Sequence, residues 1–177
     1  NLAGLQISNI LITNGKIRQK IKNEIAKSGY SQVNIMGIVA GKAAYAGGEE
    51  WLEKLLDYLT GNLNFVRDFL NRRLPRIKLI EPEGTYLLWL DFRKLGLSED
   101  QLEELILDKA HLWLDSGKLF GTGGKGFQRM NIACPRATLK TAFTQLEQAV
   151  RSITDTESAS SFPVAWRSTG VFSDSAV

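Results

Sequence analysis

The chain has one cysteine, Cys134, and one histidine, His111, among 177 residues. A lone thiol excludes an internal disulfide framework, and with a lone imidazole it leaves no Cys/His cluster for a structural zinc. No apolar stretch approaches the ~20 residues of a membrane-spanning helix, and the first residues lack the basic-then-apolar order of a signal peptide. A block of like charge is also missing. The 22 lysines and arginines are interspersed with 19 acidic residues, so a net charge of +3 does not read as a nucleic-acid footprint. A reducing, cytoplasmic setting without nucleic-acid or membrane partners is expected. Asn1 stands where a start methionine would, which suggests a fragment or a processed product.

What is present suffices for a buried core: 44% of positions are hydrophobic and 23% charged. Residues 6–13, QISNILIT, are isoleucine-rich and stopped by Asn14-Gly15, the pattern of a strand. Ile17, Ile21 and Ile25 recur every fourth position and predict an amphipathic helix over 16–27, with a second helix over 33–45. The longest periodic segment runs from 49 to about 74, carries Trp51, Leu55, Tyr58, Leu59, Leu63, Val66 and Leu70 on a broad stripe, and stops at Pro75. At ~1.5 Å per residue it is roughly 39 Å long, enough to connect two domains. IKLIE (77–81) and TYLLWLDF (85–92) read as strands. A helix over 98–109 opens on the Ser-x-x-Gln capping box of Ser98 and Gln101. A short LWLD strand (112–115), a glycine cluster, an FQRMNIA strand (127–133) and a helix over 137–153 follow. That order describes an α+β unit with helices on one face of a small sheet. From 155 onward periodicity is lost and serine is frequent, so a disordered tail is expected over 155–177.

GTGGKG (121–126) matches Gly-x-Gly-x-x-Gly only formally, because a strand and not a helix follows it, and Lys125-Gly126 fails the P-loop pattern. The glycines are expected to form a flexible loop between two strands, one that could move over a site. His111 has no ligand partners and reads as structural, Cys134 beside Pro135 reads as inert, and Glu49-Glu50 reads as the acidic first turn of the long helix. Arg129 is different. It alternates with Phe127 and Asn131 on one face of an otherwise apolar strand. Two readings stand: an edge-strand arginine pointing to water, or a guanidinium facing a cleft and holding a carboxylate through two charge-assisted hydrogen bonds.

NLAGLQISN, GEEWLEKLLDYLTGN, EPEGTYLLWLDFR and LWLDSGKLFGTGGKGFQRMNIACPR, in that order, resemble the C-terminal half of class I/II pyridoxal-phosphate (PLP)-dependent aminotransferase-like enzymes. Within that family they are most similar to the branch of cystathionine β-lyases and the maltose-regulon modulator. The resemblance implies an α/β fold of type I. Residues 1–47 would end the large PLP-binding domain, 48–74 would be the interdomain helix, and 75–154 the α+β small domain. It implies pyridoxal 5'-phosphate as cofactor, an amino acid as substrate and a homodimer. The resemblance also implies that Arg129, in the Arg-Met-Asn segment, would take the family's role of binding the substrate α-carboxylate. The lysine that forms the Schiff base would lie upstream of Asn1, and none of the chain's 12 lysines has its context. Gln6 stands where many relatives have a phosphate-binding arginine, so that contact would lack a charge. The expected activity of the whole protein is C–S β-elimination from cystathionine or cysteine S-conjugates, giving pyruvate, ammonia and a thiol, with this chain alone inactive. An aminotransferase or a non-catalytic regulatory fragment is the alternative.

Overall fold

In the computed structural model residues 2–30 and 32–160 are described, with side chains as far as residue 153. The chain divides into two compact units, Asn1–Asp57 and Tyr58–Val177.

The first unit is helical. Helix α1 (Gly15–Lys27) starts at Asn14, whose Oδ1 accepts hydrogen bonds from the backbone N–H groups of Lys16 (2.9 Å) and Ile17 (3.1 Å). Helix α2 (Ile35–Gly47) is capped in the same way by Asn34. The expected strand over 6–13 does not form: the segment has no partner strand among the described residues, and Ile10 and Leu11 are exposed. Isoleucine content favours extended backbone, but a strand exists only when its N–H and C=O groups are paired. Asn14-Gly15 therefore marks the start of a helix and not the end of a strand. Residues 5–7 instead pack against α2 at Gly37, where a Cβ would lie 3.1 Å from the Leu5 carbonyl oxygen and 3.2 Å from Ile7 Cβ. Helix α3 (Glu49–Arg73) begins in this unit, with Glu49 and Glu50 in its first turn and Arg72 and Arg73 in its last, charges that suit the helix dipole.

The second unit holds the core. Strands β1 (Lys78–Ile80), β2 (Leu87–Asp91), β3 (Asp115–Ser116) and β4 (Phe127–Asn131) form one antiparallel sheet in the order β1-β2-β4-β3. Leu88, Leu90, Gln128 and Met130 are buried, and the residues alternating with them are not, except for Asp91 at the end of β2. That is the period-2 signature of a sheet covered on one face. The cover comes from three helices, whose Val66 and Leu70 (α3), Leu102 (α4, Glu99–Glu104) and Leu139, Phe143 and Leu146 (α5, Arg136–Ser160) share one cluster with the sheet. Phe143 lies edge-on to Phe65 at 6.0 Å and tilted against Phe69 at 5.3 Å. Buried Glu147 of α5 accepts from Arg73 at 2.9 Å and ties the end of α3 to α5.

Three expectations are adjusted here. The capping box forms on both sides, Ser98 N–H donating to Gln101 Oε1 (2.9 Å) and Gln101 N–H to Ser98 Oγ (3.3 Å). The helix it opens, however, widens after Glu104 into a π turn, Leu105–Lys109. The wider turn lets Leu105, Ile106 and Ala110 all reach the core. The LWLD segment is not itself a strand; only Asp115–Ser116 pairs, at the sheet edge. Helix α5 extends through Ser160, past the expected start of a disordered tail, and the rest of that tail, 161–177, lies outside the described residues.

Candidate functional site

Arg129 sits on β4, between β2 and β3, so it is not an edge-strand residue. Its cross-strand partners are Trp89 on one side and Asp115 on the other, which places an aromatic ring and a carboxylate in one row on the face of the sheet away from the core. Its Nε and Nη2 both donate to Asp115 Oδ2, at 3.0 and 2.7 Å. The guanidinium carbon also lies 4.8 Å from the ring centroid of Phe120. The side chain retains 33% exposure. The edge-strand position expected in one reading of Arg129 does not occur: it is a part-buried cation paired with an acid and lying against an aromatic ring.

The row continues as an aromatic platform. Phe120 meets Trp89 edge-on at 5.3 Å, and Phe127 stacks on Trp89 at 5.3 Å with an interplanar angle of 13°. Arg93 lies 4.6 Å from the Phe127 centroid and pairs with Asp91 through two contacts of 2.9 and 2.8 Å. The Arg93 guanidinium, with help from the Arg93 backbone N–H, holds the Asp91 carboxyl below the usual carboxylate range against the opposing effect of burial.

The glycine cluster positions Phe120. Residues Gly117–Phe120 and Thr122–Gly124 are two 3-10 turns, and Gly117 and Gly124 meet back to back: a Cβ on Gly117 would fall 1.8 Å from the Gly124 carbonyl oxygen. Only glycine fits at either position. Gly126 N–H then donates to Glu99 Oε1 at 2.7 Å, anchoring the end of the segment to α4. The segment joins β3 to β4 as expected, but it is a closed, hydrogen-bonded pair of turns. It binds no phosphate through a helix N-terminus, because β4 follows it directly.

The remaining candidates lie elsewhere. His111 is an exposed turn residue at φ 52°, and no group of three His, Cys, Asp or Glu among the described residues could hold a metal. Cys134 is half-buried, and desolvation pushes its thiol up from the ordinary value, which disfavours the reactive thiolate. Gln6 is exposed, with φ 49°, and its side chain has no hydrogen-bond partner among the described residues. Sequence reasoning missed Asn62. It is fully buried on α3, its Nδ2 donates to the carbonyls of Ile132 (2.8 Å) and Cys134 (3.1 Å), and its Oδ1 accepts from Arg136 Nε (2.6 Å). This fixes the chain just beyond Arg129. The signal was available: Asn62 falls on the apolar stripe between Leu59 and Val66. Asp115 was also missed, because its pairing depends on a strand register that sequence does not print.

No family model matches the chain. Individual proteins do. The cystathionine β-lyase PatB of Bacillus subtilis is 37% identical over 150 residues, covering 85% of this chain and 39% of its own length. Cystalysin from Treponema denticola, whose crystal structure contains pyridoxal 5'-phosphate, superposes with a TM-score of 0.81 at 33% identity, over 86% of this chain. This chain belongs to the fold type I PLP-dependent aminotransferase and C–S lyase family. A PLP-bound C–S lyase from Staphylococcus hominis is similar over 84% of the chain, at 30% identity and a TM-score of 0.73. The chain spans about two fifths of each relative: 39% of PatB and 39% of the cystalysin chain.

The residues on view fit one end of a PLP-bound amino acid better than the cofactor itself. Arg129 is a cation of the kind that can hold a carboxylate. A pyridoxal phosphate would also need a cation for its phosphate and an acid for its ring nitrogen. The cleft of about 830 Å³ in the first unit is lined by Ile7, Val33, Ile38 and Tyr45, among others, with Lys42 as its one charged group. A single cation meets part of that requirement, and the acid is not there.

Proposed function

We propose that this chain supplies the substrate-carboxylate anchor of a PLP-dependent C–S β-lyase that cleaves cystathionine or cysteine S-conjugates to pyruvate, ammonia and a thiol. The observation that carries this reading is Arg129, a half-buried guanidinium set in an aromatic platform on an interior strand and fixed by Asp115. The similarity to PatB, cystalysin and a C–S lyase supports the reaction class. When bound, pyridoxal phosphate supplies an electron sink for the pair released at the substrate α-carbon. The chain's own part is orientation. Arg129 binds the α-carboxylate through paired charge-assisted hydrogen bonds, and Phe120, packed edge-on to Trp89, shields one side of that guanidinium from water. The backbone around it is rigid, because β4 is paired on both sides and Asn62 pins the residues that follow.

In this reading residues 1–47 complete the cofactor-binding domain, 48–74 form the connecting helix and 75–154 the small domain, in a cytoplasmic homodimer. What supports a second copy is the apolar surface of α2, where Ile35, Met36 and Val39 are exposed. The test is product analysis on the whole protein with pyridoxal phosphate and cystathionine. Pyruvate and ammonia released in equal amounts are expected. A new amino acid formed only when a keto acid is added assigns an aminotransferase instead, and no turnover with either leaves a non-catalytic binding protein.

A further inference from the structure

A guanidinium has two edges that can each make a pair of parallel hydrogen bonds: the side edge, formed by Nε and Nη2, and the end edge, formed by Nη1 and Nη2. The Arg129 side edge is occupied, since both of its groups donate to Asp115 Oδ2. One face of the planar guanidinium is covered by the Phe120 ring. Nη1 makes no hydrogen bond among the described residues. From this geometry we infer that Asp115 is a positioning residue: it holds the side edge of Arg129 so that a bound carboxylate meets only the end edge, in one orientation. The inference rests on the reading of Arg129 as the carboxylate anchor.

Three features favour positioning over simple charge pairing. Asp115 lies directly across the strand ladder from Arg129, so the pair is set by backbone register and not by two flexible arms finding each other. Its strand is held in turn by the Gly117–Gly124 contact, which brings Phe120 over the same guanidinium. Asp115 is also itself 45% exposed, so its carboxylate is not a buried charge whose removal must unfold the sheet.

A positioning role and a competing role give opposite results. If Asp115 orients the guanidinium, an acceptor oxygen at that place is what matters, and Asp115→Asn keeps one. Asp115→Ala removes it and frees the side edge. In the whole protein, Asp115→Ala is expected to raise KM for cystathionine roughly tenfold with a smaller change in kcat, while Asp115→Asn stays within about threefold of the parent. The second readout does not depend on turnover: the ¹⁵N–¹H signal of Arg129 Nε, assigned by its loss in Arg129→Lys. It is expected to stay in place when the substrate-like amino acid L-alanine is added to the parent, and to shift on addition in Asp115→Ala. A fall in KM in Asp115→Ala, or an Nε signal that moves in the parent on ligand addition, would mean that Asp115 competes for the substrate's edge, and would overturn the inference. Equal effects of both substitutions on KM would overturn it too, since an orienting oxygen would then be irrelevant. Failure of the underlying reading is separable: KM would be unchanged in Arg129→Lys itself.

Discussion

At the scale of single residues, the structure places strain and charge where the sequence shows only ordinary letters. Thr85, in the loop leading to β2, has φ 65°. A β-branched residue is poorly suited to that left-handed conformation, and because the side chain is exposed no packing compensates. Thr85→Gly is therefore expected to stabilise the second unit by about 1 kcal/mol, read as a rise in the thermal midpoint. Asp91 gives a pH dependence. Its folded pKa lies below the ordinary value, chiefly because of its hydrogen bond to Arg93, so its contribution to stability is present above the unfolded pKa. That contribution is lost as pH falls through the folded one. Thermal midpoints measured between about pH 5 and 2 should decline less steeply in Asp91→Asn than in the parent.

At the scale of elements, period and punctuation carried most of the message. The stripe from Trp51 to Leu70 and the stop at Pro75 mark α3 to within one or two residues, and the Ser98 and Gln101 pair marks the start of α4. What local sequence could not supply was pairing. Residues 6–13 have strand composition and no partner, and β3 is two residues long because only Asp115 and Ser116 reach β4. The same limit hid Asp115 from the site, although Arg129 itself was legible as a charge on an apolar strand. Asn62 shows how an element carries tertiary information. A polar residue on the apolar stripe of a long helix must find partners, and its three link α3 to the segment between β4 and α5 and to the first residue of α5. Asn62→Ala leaves the buried carbonyl of Ile132 without that donor and is expected to cost about 1–3 kcal/mol in chemical denaturation, with little effect on the helix content of the folded state.

At the scale of the whole molecule, the two units divide the work. The second unit has its own core, with Val66, Leu88, Leu90, Phe143 and Leu146 fully buried, and it carries the platform around Arg129. The first has one buried position, Gly37, among its described residues, and exposes Ile10, Leu11 and Tyr45. A unit with one buried position gains little stability from apolar burial of its own. No helix among the described residues is long and apolar enough to cross a membrane. Fold and family rest on the whole pattern of elements, whereas the proposed function turns on a single side chain. The most direct measurement is kcat/KM for cystathionine in the whole protein with Arg129→Ala. A loss of about 100-fold or more, carried mainly by KM, is expected for a lost carboxylate clamp. An unchanged kcat/KM would show that Arg129 holds Asp115 for the sake of the fold and that the substrate is anchored elsewhere.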